Sequence, residues 1–82
     1  MTELIVVRHG QASYGAADYD VLSPLGHRQS ELLGQWLARH LSEPVDLVVH
    51  GAMVRHRDTL AGVTNALTAA GHVLPPPIEL PA

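Results

Sequence analysis

The chemistry in this chain is concentrated at Arg8-His9-Gly10. A neutral imidazole can attack phosphorus and carry the phosphoryl group as a covalent intermediate. A neighbouring guanidinium meets phosphate oxygens in a planar, bidentate fashion and balances their charge. Glycine lets the backbone come close to a ligand. A tripeptide of this kind arises by chance in roughly one chain of this length in a hundred, or fewer, so its position in the chain decides its weight. It directly follows the apolar run Leu-Ile-Val-Val at residues 4–7. A second cation, Arg55, follows a second apolar run and falls near the start of a helical segment, where anions are favoured. Position alone also fits a solvated surface arginine there. Arg57 shares the context but faces elsewhere, and reads as surface.

These groups need elements to hold them. Residues 4–7 form an unbroken β-branched run, which predicts a strand covered on both faces, as in a parallel sheet. Residues 11–22 hold Gly15, Asp18 and Asp20 without a period and read as a loop. Ser23-Pro24 is a helix start, with Ser at the N-cap and Pro at the first helical position. Leu25, Leu32, Leu33, Trp36, Leu37, His40 and Leu41 recur at helical spacing and predict one apolar face, with Trp36 and the leucines in the core. Gln29, Ser30, Glu31, Gln35 and Arg39 fill the rest. Pro44 ends this helix. A second buried strand is expected at residues 45–49, and a second helix from about Ala52 to Ala70. Met53, Leu60, Val63 and Leu67 form its stripe, and Gly71 stands where a left-handed terminal residue belongs. Pro75-Pro76-Pro77 is extended, and Ile78-Glu79-Leu80 can begin a third strand. Strand, helix, strand, helix and strand in that order predict βαβ crossovers and a parallel sheet. Sites in such sheets form beyond the C-terminal strand ends, where both Arg8-His9-Gly10 and His50-Gly51 lie.

Composition removes several alternatives. The chain has 82 residues, enough for one small domain with a marginal core. It has no cysteine, which excludes a disulfide scaffold, a cysteine zinc site and a cysteine nucleophile. Five arginines against eight acids give a net charge of -3, which argues against nucleic acid as a partner. An acid at residue 3 and a four-residue apolar run do not make a signal peptide. No stretch approaches the ~20 apolar residues of a membrane span, so the cytoplasm is the expected compartment. Charged residues are only 16% of the chain, low for a solvated surface. No histidine pair has the i, i+4 spacing of a zinc helix, and no Walker loop, dinucleotide fingerprint or nucleophile elbow occurs. No metal and no cofactor are expected.

Three blocks carry a resemblance. Residues 4–11 (Leu-Ile-Val-Val-Arg-His-Gly-Gln) resemble the first strand and Arg-His-Gly motif of the histidine phosphatase superfamily, which includes the cofactor-dependent phosphoglycerate mutases. Residues 22–29 (Leu-Ser-Pro-Leu-Gly-His-Arg-Gln) resemble the block that opens its first helix. Residues 51–59 (Gly-Ala-Met-Val-Arg-His-Arg-Asp-Thr) resemble its small residue followed by Arg-x-x-x-Thr. The resemblance implies an α/β fold, three-layer αβα with a mainly parallel sheet. Residues 1–82 would supply the N-terminal βαβα half of a single phosphoglycerate mutase-like domain. It further implies that His9 is the phosphorylated nucleophile, that Arg8 and Arg55 line the phosphate pocket, and that Gly10 shapes the turn. The expected partner is a small phosphorylated substrate or phosphate ion, with no nucleic acid and no membrane, and a homodimer is left open.

The chain also departs from the family's pattern. The family often places an Asn a few residues after the motif, where residues 11–15 read Gln-Ala-Ser-Tyr-Gly. Ser13 could stand in for it, or be a plain loop serine. The missing Asn tilts the expectation from a mutase to a phosphatase-like branch acting on a phosphomonoester. A non-catalytic phosphate-binding module is the contrasting expectation. The family's second histidine and its acid come from the later half of the domain; Glu79, the last acid here, falls just short of the acid's place. His50 reads as a partly buried, satisfied histidine, and His27, His40, His56 and His72 as helix-face or loop residues.

Overall fold

The computed structural model describes residues 4–13 and 20–81. Residues 1–3, with the acid of the signal-peptide reading, and the loop positions Gly15 and Asp18 lie outside the described residues. Four elements follow in order: helix α1 (Pro24–His40), strand β1 (Val49–His50), helix α2 (Val54–Ala69) and strand β2 (Ile78–Glu79). The strands pair in parallel, Val49 with Ile78 and His50 with Glu79, with α2 as the crossover between them. Among the described residues this is an α/β arrangement of two helices and a short parallel sheet. No helix among them is long and apolar enough to cross a membrane.

The predicted helix boundaries hold closely because their end signals are local. Ser23 is extended, and its Oγ accepts from the Gly26 N–H at 3.1 Å, a cap that contributes about 1 kcal/mol. Pro24 occupies the first helical position, where its missing N–H costs nothing. At the other end of α2, Gly71 adopts φ 96°, the left-handed geometry expected there.

The strands differ from expectation. Residues 4–7 pair with no described strand and stand exposed, Leu4 at 84% and Val6 at 83%. The expected strand over 45–49 contracts to Val49–His50, with Leu47 63% exposed. A strand is held by neighbours, and β2 is the only partner that β1 has among the described residues.

The buried face of α1 also differs. Gly26, Ser30, Gly34 and Leu37 are its buried residues, while Leu25, Leu32 and Trp36 are about half exposed. Trp36 is therefore not core; its ring stacks on His40 with centroids 4.0 Å apart. The cause is the neighbour that α1 meets. It packs against α2, and the seam is made of small residues. A Cβ on Gly34 would come within 2.6 Å of the Val63 carbonyl oxygen and 2.7 Å of Ala66 Cβ. Ser30 is almost fully buried there and satisfies its hydroxyl on the Gly26 carbonyl at 2.9 Å. Leu37, Val63 and Leu67 form the core, with Leu33, Ala38, Leu41 and Leu74 packed on it.

Candidate functional site

The backbone of the Arg-His-Gly segment is held by side chains from both helices. The Gly10 N–H donates to Thr59 Oγ1 at 3.0 Å, and that hydroxyl donates to the Arg55 carbonyl at 2.7 Å. Thr59 is buried and ties the turn to the first turn of α2. The Gln11 N–H donates to Gln29 Oε1 at 2.9 Å, and the Ser23 N–H donates to the Gln11 carbonyl at 2.8 Å. Backbone approaches backbone so closely that a Cβ on Gly10 would lie 2.5 Å from the Gly26 carbonyl oxygen. The three sequence blocks thus meet in one place.

His9 is half-buried, and its Nδ1 lies 2.7 Å from the Gly10 carbonyl oxygen. A carbonyl oxygen only accepts, so Nδ1 carries the proton and the neutral ring keeps its lone pair on Nε2. Arg8 is exposed and makes no hydrogen bond or ion pair among the described residues. Ser13 uses its backbone: its N–H donates to the Val21 carbonyl at 2.9 Å, beside the Ala12–Leu22 antiparallel bridge.

Arg55 lies in the first turn of α2, as the sequence predicts. Its partner went unforeseen. Asp20 takes the Arg55 guanidinium at Nη1, 3.1 Å from Oδ1. The same carboxylate accepts the Val54 N–H at 3.1 Å and, longer, the Arg55 N–H at 3.5 Å. Met53, the N-cap residue, offers no side-chain acceptor, so Asp20 caps α2 from outside the helix. Arg55 Nε is buried without a hydrogen-bond partner among the described residues. A buried donor left unmet is costly, and this one belongs to a group that binds oxyanions.

The cap sets a pH response. Above all the Val54 amide holds the Asp20 carboxyl below its ordinary value of 3.8; desolvation opposes it, and the Arg55 amide and guanidinium and the His56 side chain add to the lowering. A depressed carboxylate stabilises the fold above its unfolded value, and that stability is lost as pH falls through the lower folded value. Urea midpoints measured downward from about pH 5 should therefore fall below pH 3.8, and Asp20→Asn should flatten that part of the curve. An unchanged slope in Asp20→Asn would refute the assignment.

A cleft of about 700 Å³ opens beside the turn, and its polar lining includes His9, His50, His56 and Thr59. The His9 and His56 ring centroids are 6.0 Å apart. The sequence reads His56 as a helix-face or loop residue. Its ring rests against Gly51, where a Cβ would collide with it, and its Nδ1 is buried and unpartnered among the described residues. His50 is half-buried and satisfied through the Gly51 carbonyl at 2.8 Å, as expected, yet it also lines the cleft. Glu79 is ion-paired with Arg57 Nε at 3.1 Å. Among the described residues no three histidine or acidic side chains cluster so as to hold a metal ion.

A family model of the histidine phosphatase superfamily (branch 1) matches residues 4–78. The chain belongs to the histidine phosphatase superfamily. No individual curated protein and no solved structure matches it. The histidine phosphatase superfamily is one of phosphatases and mutases, and membership supports a phosphoryl-transfer function in general. Two features of the site lay in the sequence but carried no periodic signal. Asp20 is an acid shortly before a helix N-cap, but the helix it caps starts 34 residues later. His56 lies next to Arg55 within the Arg-x-x-x-Thr block of this superfamily member, where spacing alone does not say which way a ring turns.

Proposed function

We propose that the chain hydrolyses a phosphomonoester through a phosphohistidine on His9. The observation that carries this reading is the Nδ1 contact to the Gly10 carbonyl, which leaves Nε2 as the basic nitrogen. Nε2 attacks phosphorus; the N–P bond forms as the ester P–O bond breaks, and the leaving oxygen takes up a proton. Water then attacks phosphorus, the N–P bond breaks, and inorganic phosphate departs. Arg8 and Arg55 hold the phosphoryl oxygens, with the unpartnered Arg55 Nε as a donor suited to one of them. Gly10 keeps the backbone near the transferred group, and the Ser13 hydroxyl supplies a further polar contact.

The test is trapping. The protein is incubated with a phosphomonoester carrying labelled phosphorus, quenched in base and mapped by peptide. Acid-labile label on the peptide that contains His9, with free phosphate released, is the expected result. Label elsewhere would overturn the assignment of His9. Interconversion of phosphoglycerates without phosphate release would replace the phosphatase with a mutase, and phosphate binding without any label would leave a non-catalytic module.

A further inference from the structure

Asp20 makes more of Arg55 than an ion pair requires. Its carboxylate spans two successive amides of α2 and the Nη1 end of the guanidinium. It comes from a different part of the chain, 35 residues before Arg55. A guanidinium presents several edges, and the one formed by Nε and Nη2 offers two parallel N–H groups to an oxyanion. Asp20 occupies Nη1, while Nε stays buried and unmet among the described residues. The backbone of Arg55 is fixed as well, through its carbonyl to Thr59 Oγ1 and from there to the Gly10 N–H beside His9.

We infer that Asp20 is a positioning residue for phosphate capture: it clamps the Nη1 end of Arg55 so that the Nε edge is presented to the anion. This rests on the reading of Arg55 as a phosphate ligand. Asp20 is itself an anion, so two effects compete. Repulsion between two unit charges about 6 Å apart in water weakens binding by about threefold, and less in salt. Losing a well-aligned hydrogen bond between charged groups weakens it by roughly tenfold or more. Alignment therefore outweighs repulsion, and removing the charge of Asp20 costs affinity instead of raising it.

The experiment titrates the full chain, Asp20→Asn, Arg55→Ala and the double variant with inorganic phosphate at constant pH and salt, alongside thermal melts. Asn can still accept the Val54 N–H, so a residue that only caps would leave the phosphate Kd of Asp20→Asn unchanged. The positioning role predicts a Kd about fivefold weaker. It also predicts no further weakening in the double variant over Arg55→Ala, since Asp20 acts through Arg55. Equal or tighter binding by Asp20→Asn, or additive losses in the double variant, would overturn the inference. If Arg55→Ala itself binds phosphate normally, the reading of Arg55 fails, and the inference fails with it. Should Asp20→Asn not fold, the Arg55 Nε proton resonance of the unaltered chain decides. Phosphate should shift it and slow its exchange with solvent, and an unmoved resonance would refute the clamp.

Discussion

Replacing His9 with Ala is expected to abolish phosphohistidine and lower phosphomonoester hydrolysis by at least about a thousandfold, with almost no change in melting temperature. Removing a covalent nucleophile takes away the whole reaction route, and losses of that order or larger follow when the group acts as part of a unit. Stability should hold because the turn is not fastened by the imidazole. The only hydrogen bond that the ring makes among the described residues goes to the adjoining carbonyl, Gly10 O. The fastening comes from backbone groups, Gly10 N–H to Thr59 and Gln11 N–H to Gln29. Steady-state hydrolysis, label trapping and a thermal melt on the same preparation check this. A variant that keeps its rate, or loses activity only because it melts, would sink the nucleophile assignment.

The opposite pattern is expected for Gly26→Ala. Alanine is the better helix residue by about 1 kcal/mol, and on that ground alone the change should stabilise α1. The site reverses the sign. A Cβ on Gly26 would fall on the Gln11 carbonyl oxygen, with the Gln11 amide nitrogen 2.8 Å away. Both are backbone atoms already held by Ser23 and Gln29, so neither can move cheaply. Forcing an extra carbon into such a contact costs about 3 kcal/mol, and the net loss of about 2 kcal/mol after the helix gain lowers the melting temperature of a chain this size by about 8–16 °C. Phosphate binding should weaken as well, because the displaced residue lies two positions from His9. A melting temperature equal to or above that of the unaltered chain would refute the close approach.

The parts of the fold legible in the sequence were those set by local signals. Ser23, Pro24 and Gly71 each act within a turn of their own helix, and the helix ends follow them closely. The Arg-His-Gly segment stood out because three residue types with one chemistry follow an apolar run, and its contacts join the three sequence blocks. What escaped depends on distant neighbours. Residues 4–7 have strand composition, but composition supplies no partner. The leucine spacing of α1 marks an apolar face without saying which surface meets it, and α2 meets the small-residue face. Asp20 and His56 act across the fold, Asp20 on a helix that begins 34 residues later and His56 at a ring 6.0 Å from its own, distances that no periodicity encodes.

The seam between the helices has a consequence for how this chain tolerates change. At Ser30 and Gly34 in the seam, and at Gly26 against Gln11, size itself is the constraint, so the positions that look most permissive by hydropathy are the ones where larger variants should vanish from a mutational library. Leu25, Leu32 and Trp36, which look like core by the same measure, should accept polar replacements readily, because half of each already faces water. A survival map of α1 would therefore rank positions by smallness, nearly inverting the order that hydrophobicity alone would give.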